Sequence, residues 1–333
     1  MFAFACWLKL YTFLCFAMDF SVTKTMQRFQ HLLPIKKNRK EHYANKDRMS
    51  PLPDEILVCI LSCLIMKDAA RTSVLSRRWR HLWTFYTGSL NFDCSRRVVV
   101  LRRVIQPPKS MLQFERLSFV GWVNLVLKSN QGSITDELKV CFDLDSKSFK
   151  CDIDSWVKFA IEKRVSRLHL DLTRVKGSKP SGRYSFPSHL LNRSSFRSLT
   201  ALCLIYIDVS GEVIEDLLSN CSLLEVLRIV HSLCLVSLKV CHNQSPSLKY
   251  LEIGRCHKLV NLEISAANLV SFRYGGPNIA ILIKNVPRLV EVSFGGFYNE
   301  NIIQSLSQLS CYIPQLETIA LDKIFTHVSM LII

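Results

Sequence analysis

The sequence predicts an α+β chain in which a small unit of three helices is followed by an irregular α/β solenoid built on a parallel sheet. Three observations predict it. Residues 51–86, PLPDEILVCILSCLIMKDAARTSVLSRRWRHLWTFY, carry an apolar stripe at helical spacing. Two tryptophan-bearing helical stretches are each followed by a strand-like stretch. Beyond them, short pieces of the kind L-x-x-L-x-I/V/F recur seven times.

In chain order, residues 1–18 (MFAFACWLKLYTFLCFAM) come first and are strongly apolar. A membrane-spanning helix needs ~20 apolar residues, whereas Lys9 interrupts this run and Asp19 closes it. A signal peptide needs a basic start and a small-residue cleavage site, and neither is evident. Residues 1–45 are therefore expected to form a poorly ordered hydrophobic and basic extension, or to reflect a mis-assigned start. A membrane is reached, if at all, through residues 1–18.

The helical unit is expected over residues 48–88. Ile56, Leu57, Ile60, Leu61 and Leu64 follow the spacing i, i+1, i+4, i+5, i+8, which lines one stripe of a helix. Pro53 suits the first helical position, and Asp54 and Glu55 sit where the positive end of the helix dipole favours them. A second helix is expected over residues 68–75. A third begins at Ser76, an N-cap residue, and carries Arg77, Arg78, Trp79, Arg80, Leu82 and Trp83. A unit this small cannot bury all that apolar surface by itself, so part of it should be a docking face.

Over these residues the chain resembles the F-box, in the form found in plant F-box/leucine-rich-repeat proteins, including the FBD type. The resemblance rests on Leu52-Pro53-Asp54-Glu55-Ile56-Leu57 and on Lys67-Asp68-Ala69-Ala70-Arg71-Thr72-Ser73-Val74-Leu75-Ser76-Arg77-Arg78-Trp79-Arg80-His81-Leu82-Trp83. It implies docking of a Skp-type adaptor and, through it, a cullin–RING ubiquitin ligase. The residues expected to form the docking face and its supporting core are Leu52, Pro53, Ile56, Leu57, Ile60, Leu61, Val74, Leu75, Trp79, Leu82 and Trp83. The sequence does not divide face from core. One departure stands out. The family usually has Pro after the leucine that ends the first helix, and here Ile65 follows Leu64. That change is expected to lengthen the helix by a turn or to loosen the break before Lys67.

The formal net charge is +16, and roughly half of the excess lies before residue 100. Lys36-Lys37-Asn38-Arg39-Lys40 reads as a solvated basic stretch, while Arg77, Arg78 and Arg80, set beside docking residues, are expected to steer an acidic partner. The 13 cysteines are odd in number and include no Cys-x-x-Cys pair, so buried free thiols in a reducing compartment are expected. Cys241-His242 and Cys256-His257 do not read as metal pairs, since neighbours on a strand point to opposite faces. The Asn-x-Ser sequons at Asn192, Asn220 and Asn243 fit a secreted repeat protein, against which the unpatterned cysteines argue.

From residue 89 to 333 a leucine-rich-repeat solenoid is expected. Residues 119–127, with Trp122, and 154–163, with Trp156, read as helices; residues 138–144 and 165–172 read as the strands that follow them. The seven pieces begin at Leu199, Leu224, Leu235, Leu248, Leu259, Leu269 and Leu289. The short intervals between residues 235 and 276 leave no room for a helix on the convex side, so strand and loop are expected there. Another strand is read over residues 317–321. No polar cap is apparent, so the solenoid is expected either to be truncated at its C-terminal end or to end in an unusual way.

Catalytic signatures are missing from the sequence. It has no phosphate loop, no Gly-x-Ser-x-Gly elbow and no His-Glu-x-x-His helix. The pairs Asp143/Asp145 and Asp152/Asp154 sit near helix starts, where capping is the default role. No cofactor and no bound metal are expected. The sequence thus reads as a non-enzymatic substrate-recognition adaptor of an SCF-type (Skp–cullin–F-box) E3 ubiquitin ligase in the cytoplasm or nucleus, with an unidentified target protein on the repeats. Three other readings stay open: a membrane-anchored or secreted repeat protein, a degenerate paralogue, and a basic nucleic-acid-binding protein. The basic runs are not interleaved with stacking aromatics, which counts against nucleic acid.

Overall fold

The computed structural model describes residues 49, 51–94, 109–174, 182–191, 195–241, 246–279, 281–295 and 315–322. The expectations for residues 1–45, the sequons at Asn192 and Asn243 and the end of the chain lie outside these. The chain divides into two compact units. One joins the N-terminal part up to Gly88 with Leu117–Gly132; the other joins Ser89–Arg116 with the chain from Ser133 onward.

The first unit holds helices α1 (Asp54–Ser62), α2 (Met66–Thr72) and α3 (Arg77–Leu82), then a 3-10 turn over Trp83–Phe85. Pro53 precedes α1 as its N-cap residue, in extended backbone, and Asp54 and Glu55 fill the acidic first turn. Ser76 caps α3, accepting a hydrogen bond from the Trp79 N–H at 3.3 Å. Over these helices and the turn, the buried apolar residues are Leu57, Leu61, Met66, Ala69, Ala70, Leu82, Trp83 and Tyr86. Gly88 is required by close approach: a Cβ there would lie 2.5 Å from the Ser62 carbonyl oxygen and the Tyr86 hydroxyl. Helix α4 (Lys109–Ser129) is longer than the stretch legible around Trp122, and its part from Leu117 onward belongs to this unit. After α4, the Asn130 side chain donates to the Tyr86 carbonyl at 2.7 Å, and the Gln131 N–H donates to the Thr84 carbonyl at 2.6 Å.

The second unit is the solenoid. Its strands in chain order are β1 (Ser89–Asp93), β2 (Glu137–Cys141), β3 (Arg167–Asp171), β4 (Tyr184–Ser185), β5 (Ala201–Ile205), β6 (Ile207–Asp208), β7 (Val226–Val230), β8 (Ser237–Cys241), β9 (Tyr250–Gly254), β10 (Asn261–Ser265), β11 (Ser271–Gly275), β12 (Ile281–Lys284), β13 (Glu291–Gly295) and β14 (Thr318–Asp322). Helix α5 (Ser146–Glu162) lies between β2 and β3, and α6 (Gly211–Asn220) between β6 and β7. Among the described residues the main sheet has nine strands in the order β1-β2-β3-β5-β7-β9-β11-β13-β14, all parallel.

The seven leucine pieces are not one series, as the sequence had suggested. Those from Leu199, Leu224, Leu248, Leu269 and Leu289 feed the main sheet, while those from Leu235 and Leu259 feed a second parallel sheet, β12-β10-β8. One coil therefore lays down two strands, and main-sheet strands recur at Val226, Tyr250, Ser271 and Glu291, near the low end of the ~20–29-residue repeat period. The leucine that opens each piece is buried in the turn ahead of its strand: Leu224, Leu248, Leu269 and Leu289 are all at or below 1% exposure. Earlier coils use helices instead. α6 packs close to β8, and Gly211 permits it: a Cβ there would meet the Ser237 carbonyl oxygen at 1.8 Å.

Alternation along each strand separates core from surface. Leu138, Leu168, Leu202, Leu227, Leu251, Phe272 and Val292 form one inward row of the main sheet, aligned by register. Between β1 and α5, the Arg116 guanidinium pairs with Asp143 at 2.6 Å and with Asp145 at 3.5 Å, nearly out of solvent. Asp145 also caps α5, accepting from the Ser148 N–H at 2.9 Å, as its place near a helix start implied. Asp143 instead serves as the fully buried partner of Arg116, and Asp154, within α5, pairs with Lys150 and accepts from the Tyr184 hydroxyl.

Candidate functional site

Two surfaces stand apart from the core, one in each unit. In the helical unit the structure divides the eleven residues singled out from the sequence. Leu57, Leu61, Leu82 and Trp83 are buried and support the fold. Ile56, Val74 and Leu75 are exposed at 47%, 52% and 66%, and Pro53 is exposed beside them in sequence. Leu52, Ile60 and Trp79 are half-buried. Two exposed residues were missed, Leu64 and Ile65, the latter 65% exposed. The run Leu64-Ile65-Met66, three apolar residues where a helix breaks, was the available signal.

The missing proline neither lengthens α1 nor loosens the break, contrary to expectation. α1 stops at Ser62. The Ser62 hydroxyl accepts from the Thr87 N–H at 3.1 Å, and the Leu64 carbonyl accepts from the Tyr86 hydroxyl at 2.9 Å, so the end of the helix is held from outside. Ile65 takes φ −65° and ψ 147°, the extended geometry a proline would impose. Its carbonyl then starts α2 at Met66, accepting from the Asp68 and Ala69 N–H groups. The helix expected over residues 68–75 is thus shifted toward the N-terminus, and Val74 and Leu75 lie in the turn after it, which is why they stay exposed.

The cations of this unit are not all available to a partner. Arg78 is held inside it, pairing with Asp54 at 2.6 Å and donating to the Leu52 carbonyl, so that α3 is tied to the start of α1. Arg71 pairs with Asp68 one turn away. Arg77 is exposed. Of the three arginines expected to steer a partner, Arg78 is thereby reassigned to a structural role.

In the solenoid the open face of the main sheet carries a polar row: Lys139, His169, Cys203, Arg228, Glu252 and Arg273, aligned across β2, β3, β5, β7, β9 and β11. It is cross-linked by charge pairs. Lys139 meets Asp93 at 2.9 Å, Arg228 meets Glu252 at 2.9 Å, and Arg273 meets Glu291 at 2.9 Å. The Tyr250 hydroxyl donates to Glu252 at 2.7 Å, and burial raises its pKa above the usual phenol value. Glu291 is held below the usual carboxylate range: its burial works against this, and the Arg273 and Ser271 hydrogen bonds prevail.

Beside this row, Cys141 on β2 and His169 and Asp171 on β3 bring one donor atom each to within 4.8 Å of one another. Burial pushes the Cys141 thiol well above its ordinary value and lowers His169 to about 4. Sequence spacing gave no hint of this group, because its members meet only through the pairing of β2 with β3. The described cysteines are all free, and burial raises Cys221 and Cys256 to about 11, which makes them poor nucleophiles. Cys256 is buried and His257 exposed, but the pair lies in the turn after β9 and not on a strand, as the sequence had suggested.

A small helical unit with apolar residues left outside its core, in a chain that continues into a leucine-rich-repeat solenoid, defines a repeat protein with an N-terminal helical module. Comparison with known proteins specifies it. The F-box domain matches residues 49–85, and the LRR domain described as At1g61320/AtMIF1 matches residues 192–331. An F-box/FBD/LRR-repeat protein of Arabidopsis thaliana is 30% identical over 277 residues, covering 77% of this chain and 55% of the relative. An F-box/LRR-repeat protein of the same plant is 28% identical over 251 residues, covering 69% of this chain and 52% of the relative. Another is 27% identical over 299 residues, covering 81% of this chain and 90% of the relative. The chain belongs to the plant F-box/leucine-rich-repeat family, and it spans about half the length of the first two relatives.

Proposed function

We propose that this chain is the non-catalytic substrate-recognition subunit of an SCF-type E3 ubiquitin ligase, its F-box docking a Skp-type adaptor and its repeats holding a target protein. The observation that carries this reading is the exposure of Ile56, Val74 and Leu75 on a helical unit whose core is already complete without them. Exposed aliphatic side chains beside a half-buried tryptophan have the make-up of an interface centre, where a few residues supply most of the affinity. The mechanism is tethering: adaptor and cullin–RING subunits bring a charged conjugating enzyme near the bound target, raising effective concentration without chemistry in this chain. The described cysteines, exposed and buried alike, form no disulfides, which supports work in a reducing compartment, the cytoplasm or the nucleus. Among the described residues no helix is long and apolar enough to cross a membrane.

The test is co-purification of the full chain with a Skp-type adaptor. Leu75→Asp should weaken adaptor binding by about 2 kcal/mol or more, roughly 30-fold, while the circular dichroism spectrum and the melting temperature stay unchanged. Trp79→Ala should act in the same direction. Adaptor binding unaffected by either substitution would remove this face from the interface.

A further inference from the structure

We propose that Cys141, His169 and Asp171 form a binding site for a divalent transition metal of zinc type on the open face of the main sheet. The pairing of β2 with β3 sets Cys141 directly opposite Asp171, and His169 lies two residues before Asp171 on the same face. Neighbouring strands stand about 4.8 Å apart, so a residue pair in register needs only short side chains to share an ion. The longer imidazole of His169 closes the remaining gap, and the three donor atoms lie within 4.8 Å of one another.

The donor chemistry selects the ion. Sulfur, nitrogen and carboxylate oxygen together suit zinc, which takes all three in tetrahedral sites, whereas calcium and magnesium take oxygen ligands alone. Two further observations point to a ligand. His169 Nε2 is out of contact with solvent and has no hydrogen-bond partner. Asp171 is already oriented: the Thr173 N–H, at 2.9 Å, and the Thr173 hydroxyl both donate to its Oδ1. Such outer contacts fix a ligating carboxylate in place. Asp93, in register with Cys141 on β1, adds negative charge beside the site and keeps Lys139 paired at 2.9 Å. Three protein ligands leave a fourth tetrahedral position, which on an open sheet face falls to water or to a side chain of a bound partner. The inference does not depend on adaptor docking by the F-box.

The test uses the full chain, stripped with a chelator and titrated with Co²⁺ as a spectroscopic probe and then with Zn²⁺ alone. A single cobalt ion should produce a thiolate-to-cobalt charge-transfer band, which Zn²⁺ bleaches. Cys141→Ser should abolish the band, and Thr173→Val, which keeps every ligand, should weaken Zn²⁺ binding by about tenfold. Replacing the exposed Cys59 and Cys63 by Ser should change nothing. If Cys141→Ser compromises folding, Thr173→Val and the Cys59/Cys63 variant still decide between sites. A band that survives Cys141→Ser, or binding indifferent to Thr173→Val and lost with Cys59 and Cys63, would overturn the assignment.

Discussion

The two units handle apolar side chains in opposite ways. In the solenoid the main-sheet strands send a row of leucines, then Phe272 and Val292, inward and set a row from Lys139 to Arg273 on the open face. In the F-box unit the adjacent residues Ile56 and Leu57 share one helix, yet one is exposed and the other fully buried. A repeat array can hide its apolar residues because each coil is covered by the next. The F-box unit includes the part of α4 from Leu117 onward, and Ile56, Val74 and Leu75 still remain exposed on it. The difference separates two kinds of surface, one apolar and one of arranged charge.

Five substitutions probe this contrast. The largest effect is expected at Arg116, where Arg116→Met strands the fully buried Asp143 carboxylate and should cost about 3–5 kcal/mol in urea unfolding. The double variant Arg116→Met/Asp143→Leu should recover much of that loss, and failure to recover would show that the arginine stem, not its charge, matters. Next is the pair on α1. Leu57→Ala should cost ~2–5 kcal/mol of stability, while Ile56→Ala should stay within ~0.5 kcal/mol and weaken adaptor capture instead. Equal thermal shifts for the two would erase the division between core and face. Ser76→Ala, removing the cap of α3, should cost about 1 kcal/mol by chemical denaturation. The smallest effect has the opposite sign: Ile65→Pro should stabilise the chain by about 0.4–1 kcal/mol, because the backbone already holds a proline geometry there. A lower melting temperature for that variant would mean that the Ile65 N–H or the Leu64 backbone resists the ring.

The sequence made the F-box legible because the order and spacing of Leu52-Pro53-Asp54-Glu55 and of the Ser76-Arg77-Arg78-Trp79 stretch form one local pattern. It did not separate Ile56 from Leu57, since both are aliphatic and lie on adjacent edges of one stripe. The leucine pieces located the strands they precede, displaced by the two residues that each piece spends in its turn. Their assignment to two sheets was not legible, because the template is the same on both; the halved interval after Leu224 was the only trace. β1, α6 and β12 were overlooked. α6 had readable marks in the Ser210 cap and in Ile214, Leu217 and Leu218 at i, i+3, i+4. The grouping of Cys141, His169 and Asp171 had none, since it depends on strand pairing between residues about 30 positions apart.

The alternation of the later coils between two sheets has a consequence for how such a chain can change length. From β7 to β12 the array has a phase, like a reading frame, because each coil gives one strand to the main sheet and then one to the second. Gain or loss of a whole coil preserves that phase and alters only the width of the open face. Gain or loss of half a coil would send every following strand to the wrong sheet and turn the charged row toward the back. Lineages of such proteins should therefore vary in whole coils, adding or deleting one column of open-face residues at a time.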